Sequence, residues 1–358
     1  MAVRKVGTCR VLREIGRGGM SVVYEAYQEA LDRKVAIKAL DAPSARSAEL
    51  AERFRREGRA YAQIHHAGVI AVHDLVEKDG ALYLVTEFVD GADLDRLVGP
   101  GRLPPACVAA VGAAVADALD CIHAHSLLHR DLKPGNVMIS RKGEVKLMDF
   151  GIVKDAMAAE LTRTGTVVGT PYYLAPEVLG GDGEDERSDL WSLGVTLYEL
   201  ATGERPFTGA DYQALFAAIR KGRYRPVRKL APDVPRRLAR AIDRCLDRRP
   251  ERRFETAAQV AEELRAVAGR LLGDDGPARR LAALLEERER AAAPQATVEV
   301  VTADLVPATA ALGTPEAPPA AGAAAGSAGG RPWRAALLWG ALLLTTAAWA
   351  WQARPWAW

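Results

Sequence analysis

The side chains best placed to do chemistry lie in one octet, His129-Arg130-Asp131-Leu132-Lys133-Pro134-Gly135-Asn136, and in Asp149-Phe150-Gly151, which follows after twelve intervening residues. The set holds two carboxylates, an ammonium and an amide. One carboxylate, Asp131, can orient an attacking hydroxyl and accept its proton. Asp149 and the amide oxygen of Asn136 are hard ligands suited to Mg2+, and Lys133 offsets phosphate charge. That is the equipment for moving a phosphoryl group. Between the two motifs, Val137-Met138-Ile139 is a short apolar run, Ser140-Arg141-Lys142-Gly143 a turn, and Val145-Lys146-Leu147-Met148 an alternating run. The pattern predicts a hairpin with a motif on the loop at either end, so that the four groups face one small volume.

The elements that must position this volume are legible upstream. Residues 10–40 read as three strands. The first ends in Gly16-Arg17-Gly18-Gly19-Met20-Ser21, where glycines let backbone N–H groups close over phosphates. Ser21 stands where a third glycine would complete the common spacing. A dinucleotide-binding loop is a competing reading, but it requires a helix next, and Val22-Val23-Tyr24-Glu25-Ala26-Tyr27 is β-rich. A simple hairpin turn is the plainer alternative. Val35-Ala36-Ile37-Lys38 is a mostly buried strand whose terminal lysine is costly unless paired. Residues 47–64 form a helix by the stripe Leu50, Phe54, Tyr61, Ile64, with Glu57 on its flank and Glu49 and Glu52 as rival acids. Gly58 weakens that helix by about 1 kcal/mol relative to alanine, for mobility or for packing. Val69–Asp74 and Ala81–Val89 read as strands around a Lys78-Asp79-Gly80 turn. Ala106–Ser126 reads as a core helix, since Asp117, Asp120 and His123 interrupt any membrane span; His123 and His125 read as structural.

The octet, Asp149-Phe150-Gly151 at this distance, the glycine-rich segment and Val35-Ala36-Ile37-Lys38 together resemble the protein kinase superfamily, specifically the eukaryotic-like (Hanks-type) serine/threonine kinases of bacteria, over residues 10–268. The resemblance implies an α+β, two-lobed fold with a β-rich N-lobe and a mainly helical C-lobe, binding ATP and Mg2+ between them. It implies that Lys38 touches the α/β-phosphates and pairs with Glu57, and that Asp131 and Lys133 act at the acceptor hydroxyl. Asn136 and Asp149 hold the metal. Gly16, Arg17, Gly18, Gly19, Met20, Ser21, Val23, Ala36, Glu87, Val89, Asp93 and Met138 surround the nucleotide, with Thr86 at the gatekeeper place. Asp93 also has a plain reading as a helix N-terminal acid. Residues 149–177, ending in Ala175-Pro176-Glu177, become the activation segment. Its middle, residues 161–166, has no core-forming pattern and reads as an exposed, mobile loop. Thr162 and Thr164 match paired phosphosites, Thr166 is a third candidate, and the alternative is a merely polar loop; a phosphate there can dock on Arg130. Thr170 is assigned to the substrate pocket. Lys133 and Gly169-Thr170-Pro171 favour serine or threonine as acceptor over tyrosine. Asp189 is expected to tie the catalytic-loop backbone, and Arg253 to pair with Glu177.

Composition bounds the rest. The chain has 358 residues, 49% hydrophobic and 26% charged, enough for a sizeable core. A net charge of +2 shows no nucleic-acid footprint in the total. Cys9, Cys107, Cys121 and Cys245 are scattered, which fits a reducing compartment without a cysteine metal site. The N-terminus carries no apolar core region, which reads as no signal peptide. Six of the seven tryptophans lie at or beyond Trp333, marking the C-terminus as a different kind of chain. Residues 277–293 read as a charged helix with Leu281, Leu284 and Leu285 on one face, taken as a solvated juxtamembrane spacer rather than a partner helix. Residues 294–332, rich in Ala, Pro and Gly, read as a flexible linker. Residues 335–351 carry no charge and read as a C-terminal transmembrane helix flanked by Trp333, Arg334 and Arg354, against an interfacial helix or a buried docking segment. The expected protein is a single-pass kinase of the cell inner membrane with its catalytic domain in the cytoplasm. It would act on serine or threonine of proteins and on a second copy of itself in trans, with no nucleic-acid partner. A pseudokinase scaffold tethered to the membrane is the alternative from another class, set against the presence of Lys38, Asp131, Asn136 and Asp149. A small-molecule phosphotransferase is a third, set against the Ala-Pro-Glu segment and the threonine-rich loop.

Overall fold

The three strands expected over residues 10–40 form in the computed structural model, and a short strand not expected from the sequence, Lys5–Val6, precedes them. The structure describes residues 5–17, 21–40, 48–99, 101–149, 171–181 and 183–292, with the backbone alone at 48–50, 53, 57 and 292. The chain divides into two units, 1–296 and 297–358, and the second lies outside the described residues. Six antiparallel strands are β1 (Lys5–Val6), β2 (Cys9–Arg17), β3 (Ser21–Gln28), β4 (Arg33–Leu40), β5 (Val72–Lys78) and β6 (Ala81–Glu87), in the order β1-β2-β3-β4-β6-β5. Alternation decides the faces. Val35, Ile37, Tyr83 and Val85 join Val6, Cys9 and Ala26 in a small core on one side. Ala36 and Lys38 on β4 pair across with Thr86 and Leu84 on β6, and these four point to the other side. A hairpin turn joins β5 to β6 with both Asp79 and Gly80 at positive φ (53° and 72°), the geometry that two-residue hairpins favour.

The strand expected at Val69–Asp74 begins instead at Val72. Residues 68–70 pair elsewhere: Leu147 donates to the Gly68 carbonyl at 2.7 Å and Ile70 donates to the Leu147 carbonyl at 3.0 Å. This short parallel contact stitches the sheet lobe to the helical lobe. Helix α1 (Ala48–Tyr61) packs Phe54 and Tyr61 inward, and Tyr61 donates its hydroxyl to the Leu128 carbonyl, one residue before the octet. A Cβ at Gly58 would stand 3.3 Å from Leu84 Cδ1, a tight contact, so this glycine lets helix and sheet pack closely.

The second lobe starts with β7 (Gly91–Asp93), α2 (Leu94–Val98) and α3 (Pro105–Ala124). The hairpin of β8 (Val137–Ser140) and β9 (Val145–Leu147) forms where the sequence places it, with β7 as a third strand. Helices α4 (Pro176–Gly180), α5 (Glu186–Thr202), α6 (Tyr212–Lys221), α7 (Val227–Leu230), α8 (Arg236–Cys245) and α9 (Ala257–Leu272) complete the lobe. Helix α3 is the one helix among the described residues long and apolar enough to cross a membrane, and it is mostly buried, as a core helix should be. Asp185 opens α5 with a capping box shared with Ser188.

Helix α10 (Pro277–Ala292) departs from the expected solvated spacer. Leu281, Leu284 and Leu285 are all at most 2% exposed and belong to the main core. Glu289 takes a two-pronged ion pair from Arg141 in the β8–β9 turn, at 2.8 and 3.0 Å. Arg288 donates to the Arg102 carbonyl at 3.1 Å. Gly143, at φ 78°, lies so close to the Ala278 carbonyl that no side chain fits. The charged residues that suggested solvation are partly used in docking the helix.

Candidate active site

The octet leaves α3 through two turns and is held from below by one carboxylate. Asp189 sits in the first turn of α5 and is almost fully buried. Its Oδ2 accepts from the backbone N–H of His129 at 2.8 Å, its Oδ1 from that of Arg130 at 2.9 Å, and Oδ2 also meets His123 Nε2 at 2.9 Å. Burial would raise the Asp189 carboxyl, but its hydrogen bonds and the neighbouring imidazoles outweigh burial and hold it below the usual carboxylate range. The expectations for Asp189 and for a structural His123 both hold. His125 likewise bonds the Cys121 carbonyl, at 2.8 Å.

His129 is fully buried, with Nε2 facing the Met148 carbonyl at 3.1 Å and Nδ1 facing the Asp131 N–H at 3.3 Å. An imidazole that accepts at Nδ1 donates at Nε2, so this geometry fits the neutral ring. Burial pushes its pKa below the ordinary value near 6.5. It therefore ties the loop before Asp131 to the residue before Asp149. Arg130 and Asp149 both sit in the left-handed region, at φ 65° and 55°. Such backbone is unfavourable for side-chain-bearing residues and persists where surroundings enforce it.

The four groups of the two motifs lie together, and Lys38 joins them. Lys133 Nζ is 3.0 Å from Asp131 Oδ2, and Lys38 Nζ is 2.8 Å from Asp149 Oδ1. Asn136 donates through Nδ2 to the carbonyls of Asp131 (2.7 Å) and Asp149 (3.3 Å). That orientation reserves its Oδ1 as an acceptor. An amide oxygen beside a carboxylate is a donor set that fits a hard divalent cation. Lys38 and Asp149 are walls of a pocket also lined by Val23, Ile70, Val72, Leu84, Thr86 and Met148. Its apolar floor and two charged groups suit a flat ring carrying phosphates.

The remaining sequence candidates separate by place. Gly16, Arg17 and Ser21 end β2 and begin β3 beside the pocket strand, and Ala36 pairs with Thr86 on the pocket side of the sheet. Glu87 forms an ion pair with Lys146 at 2.9 Å, and Val89 is buried just after it. Asp93 pairs across β7–β8 with Met138, which brings both to one place. Asp93 caps α2 by accepting from the Arg96 N–H at 2.8 Å, which fits its plain reading as a helix N-terminal acid. Gly18, Gly19, Met20, Thr162, Thr164, Thr166 and Thr170 lie outside the described residues, as does the side chain of Glu57. Arg130, expected to receive a phosphothreonine, is 3.1 Å from Glu184.

Sequence reasoning missed Ile70, Val72, Leu84 and Met148 as pocket walls. Their signal was alternation: once Lys38 faces the cleft, its cross-strand neighbour Leu84 must do so too. It also missed Asp95, whose carboxylate takes the space a Cβ on Gly135 of the octet would need. Burial and then the nearby Asp93 raise its pKa. The Glu177–Arg253 pair is present as expected, with Arg253 Nη1 and Nη2 at 2.7 and 2.8 Å from the carboxylate and Arg253 2% exposed.

Comparison with known proteins agrees with this geometry. Residues 9–264 match the family model described as protein kinase domain. The chain belongs to the protein kinase family. This kinase is 39% identical over 271 residues to the serine/threonine-protein kinase PknA of Mycobacterium tuberculosis, covering 74% of this chain and 62% of that one. It is 37% identical over 267 residues to PknL of Mycobacterium bovis, covering 73% and 66%. Both relatives are longer, and this chain spans 62% and 66% of their lengths. Among solved structures it resembles the PknI kinase domain of Mycobacterium tuberculosis, at TM-score 0.60 and 29% identity, covering 74% of this chain and 99% of that one. It also resembles Rad53 1–466 in complex with AMP-PNP, at TM-score 0.61 and 26% identity, covering 72% and 64%. The match ends at residue 264, so the docked helix α10 lies beyond the family model.

Proposed function

We propose that this kinase transfers the γ-phosphoryl group of ATP to serine or threonine hydroxyls of proteins. The observation that carries the proposal is that Asn136 joins the Asp131–Lys133 pair to the Asp149–Lys38 pair at the edge of one pocket, with Asp189 and His129 bracing the backbone from behind. Asp131 orients the acceptor hydroxyl and takes its proton. Lys133, 3.0 Å away, pairs with that carboxylate and stands ready to offset charge on the transferred group. Lys38 is held by Asp149 where a nucleotide's phosphates would meet it. Asn136 and Asp149 would hold Mg2+, whose charge favours the phosphoryl oxygens when bound. Positioning and fixed charge supply the catalysis, with no covalent enzyme intermediate.

Activation follows from Arg130. The guanidinium engages the Glu184 carboxylate at 3.1 Å. Phosphate on Thr162, Thr164 or Thr166 adds about −1.5 to −2 charges, which competes with the single charge of Glu184 for the arginine. We take this exchange as the switch, made by one copy acting on another. The uncharged, tryptophan-flanked residues 335–351 anchor the kinase at the inner membrane in this reading, with the catalytic domain on the cytoplasmic side.

The test of the chemistry is Lys38→Met in the full chain, assayed for phosphate transfer to a generic acceptor protein. Transfer falls by about 10²–10⁴-fold, while the melting temperature stays that of the native chain, because the Lys38–Asp149 pair is partly exposed and contributes little to stability. Native activity in this variant would remove Lys38 from the mechanism.

A further inference from the structure

Residues 220–253 carry fourteen arginines and lysines against four acids, a net of +10 in a chain whose total is +2. Neither the active site nor the core accounts for this concentration. Helix α8 shows its form. Leu238, Ala239, Ala241, Ile242 and Cys245 are buried, and the outward face presents Arg236, Arg240 and Arg244 at successive intervals of four residues. Like charges at that spacing weaken a helix. The fold uses some of the surrounding cations: Arg237 grips Glu263, Arg253 grips Glu177, and Arg244 stacks on Phe254 at 4.1 Å. Arg236, Arg240, Arg248 and Arg249 are exposed and pair with no carboxylate among the described residues. Arg248 lies against Gly222 at the end of α6, which brings Lys221 and Arg223 beside it. Tyr224 bonds Asp243 at 2.9 Å, fixing Arg223 and Arg225 next to α8 and engaging the helix's own acid.

We propose that this arginine face of α8 and its flanking loops is a docking surface for the anionic phospholipid headgroups of a membrane. Guanidinium forks match phosphate oxygens in pairs, which a lysine field would not do as well. Residues 220–253 expose no large aromatic side chain on which nucleobases could stack, which disfavours a nucleic acid. The choice of lipid over an acidic protein rests on the anchoring read in residues 335–351, which keeps the domain within reach of a leaflet.

The test uses the full chain with two vesicle types, neutral phosphatidylcholine and a mixture with about one third phosphatidylglycerol. Arginine-directed chemical labelling of positions 236, 240 and 248 is read by mass spectrometry. Labelling is expected to fall at least about ten-fold on the anionic vesicles alone and to recover in about 0.5 M salt. The triple variant Arg236→Gln, Arg240→Gln, Arg248→Gln keeps basal activity and native melting, which shows that it folds. Three arginines near an anionic surface account for a factor on the order of 100 in affinity. The variant therefore loses that factor in whatever part of vesicle binding is sensitive to lipid charge. Equal labelling on both vesicle types overturns the proposal, and so does protection by soluble polyglutamate without protection by vesicles. Anchoring is read separately: a chain that stays off neutral vesicles yet is protected on anionic ones refutes the anchor and upholds the arginine face.

Discussion

Asp189 and His129 determine how the catalytic loop is built, since neither faces the pocket and both hold backbone that does. Asp189 accepts two main-chain N–H groups, and His129 bridges the Met148 carbonyl to the Asp131 N–H. Burial lowers the His129 pKa below its ordinary value near 6.5. The unfolded chain therefore binds the extra proton first as pH falls. The stability due to the neutral ring is complete above pH 6.5 and declines below it, by up to about 1.4 kcal/mol per pH unit. Asp189, with its carboxyl held low, gives the same sign in a lower window: its contribution is present above the usual carboxylate value near 4 and is lost as pH falls through its folded value. Urea unfolding at pH 7.5 and 5.5 separates the two, and His129→Asn should flatten the difference by about 1 kcal/mol; an unchanged difference refutes the assignment. The Glu177–Arg253 pair is structural by the same logic. Arg253 also donates to the carbonyls of Asp247 and Arg187 and stacks on Trp191 at 5.0 Å. Arg253→Met strands the Glu177 carboxylate and should cost about 3–5 kcal/mol in equilibrium unfolding.

At the scale of elements, the β8–β9 hairpin carries Asn136 and Asp149 together at its open end and residues 141–144 at its turn, so the strands connect that turn to the two residues proposed to hold metal. Helix α10 clasps that turn through Arg141–Glu289 and fills the space beside it with Leu281, Leu284 and Leu285. A domain cut at residue 272 uncovers those contacts. Leu284→Ala should cost about 2–5 kcal/mol, and a 1–272 chain should melt well below a 1–296 chain; equal melting temperatures contradict the packing described. This helix also shows where sequence reading stops. The hairpin, strands β2 to β4 and helix α3 were legible because alternation, turn residues and long apolar periodicity are local signals. The leucine face of α10 was visible, but what it packs on is a long-range fact that no local pattern encodes. The start of β5 was misplaced for the same reason, since residues 68–70 answer to Leu147 nearly eighty positions away. In the site, charged groups were readable from type and spacing, while apolar walls such as Ile70 and Met148 needed the sheet's facing to be known.

For the whole molecule, the lobes meet where the backbone of residues 68–70 joins β9, where Tyr61 reaches the Leu128 carbonyl, and where Lys38 reaches Asp149. The third of these joins a sheet strand to the catalytic half of the cleft directly, and a nucleotide would enter between them. The proposed chemistry depends on that meeting, and Asp131 is its centre. The decisive measurement uses the full chain after phosphatase treatment, incubated with Mg-ATP beside its Asp131→Asn counterpart, with phosphosites mapped by mass spectrometry. Phosphate on Thr162, Thr164 or Thr166 in the native chain, absent from the Asp131→Asn chain, is the predicted result. Nucleotide binding by both chains with no phosphate transferred by either, to itself or to an acceptor protein, would contradict the account and make the molecule a scaffold.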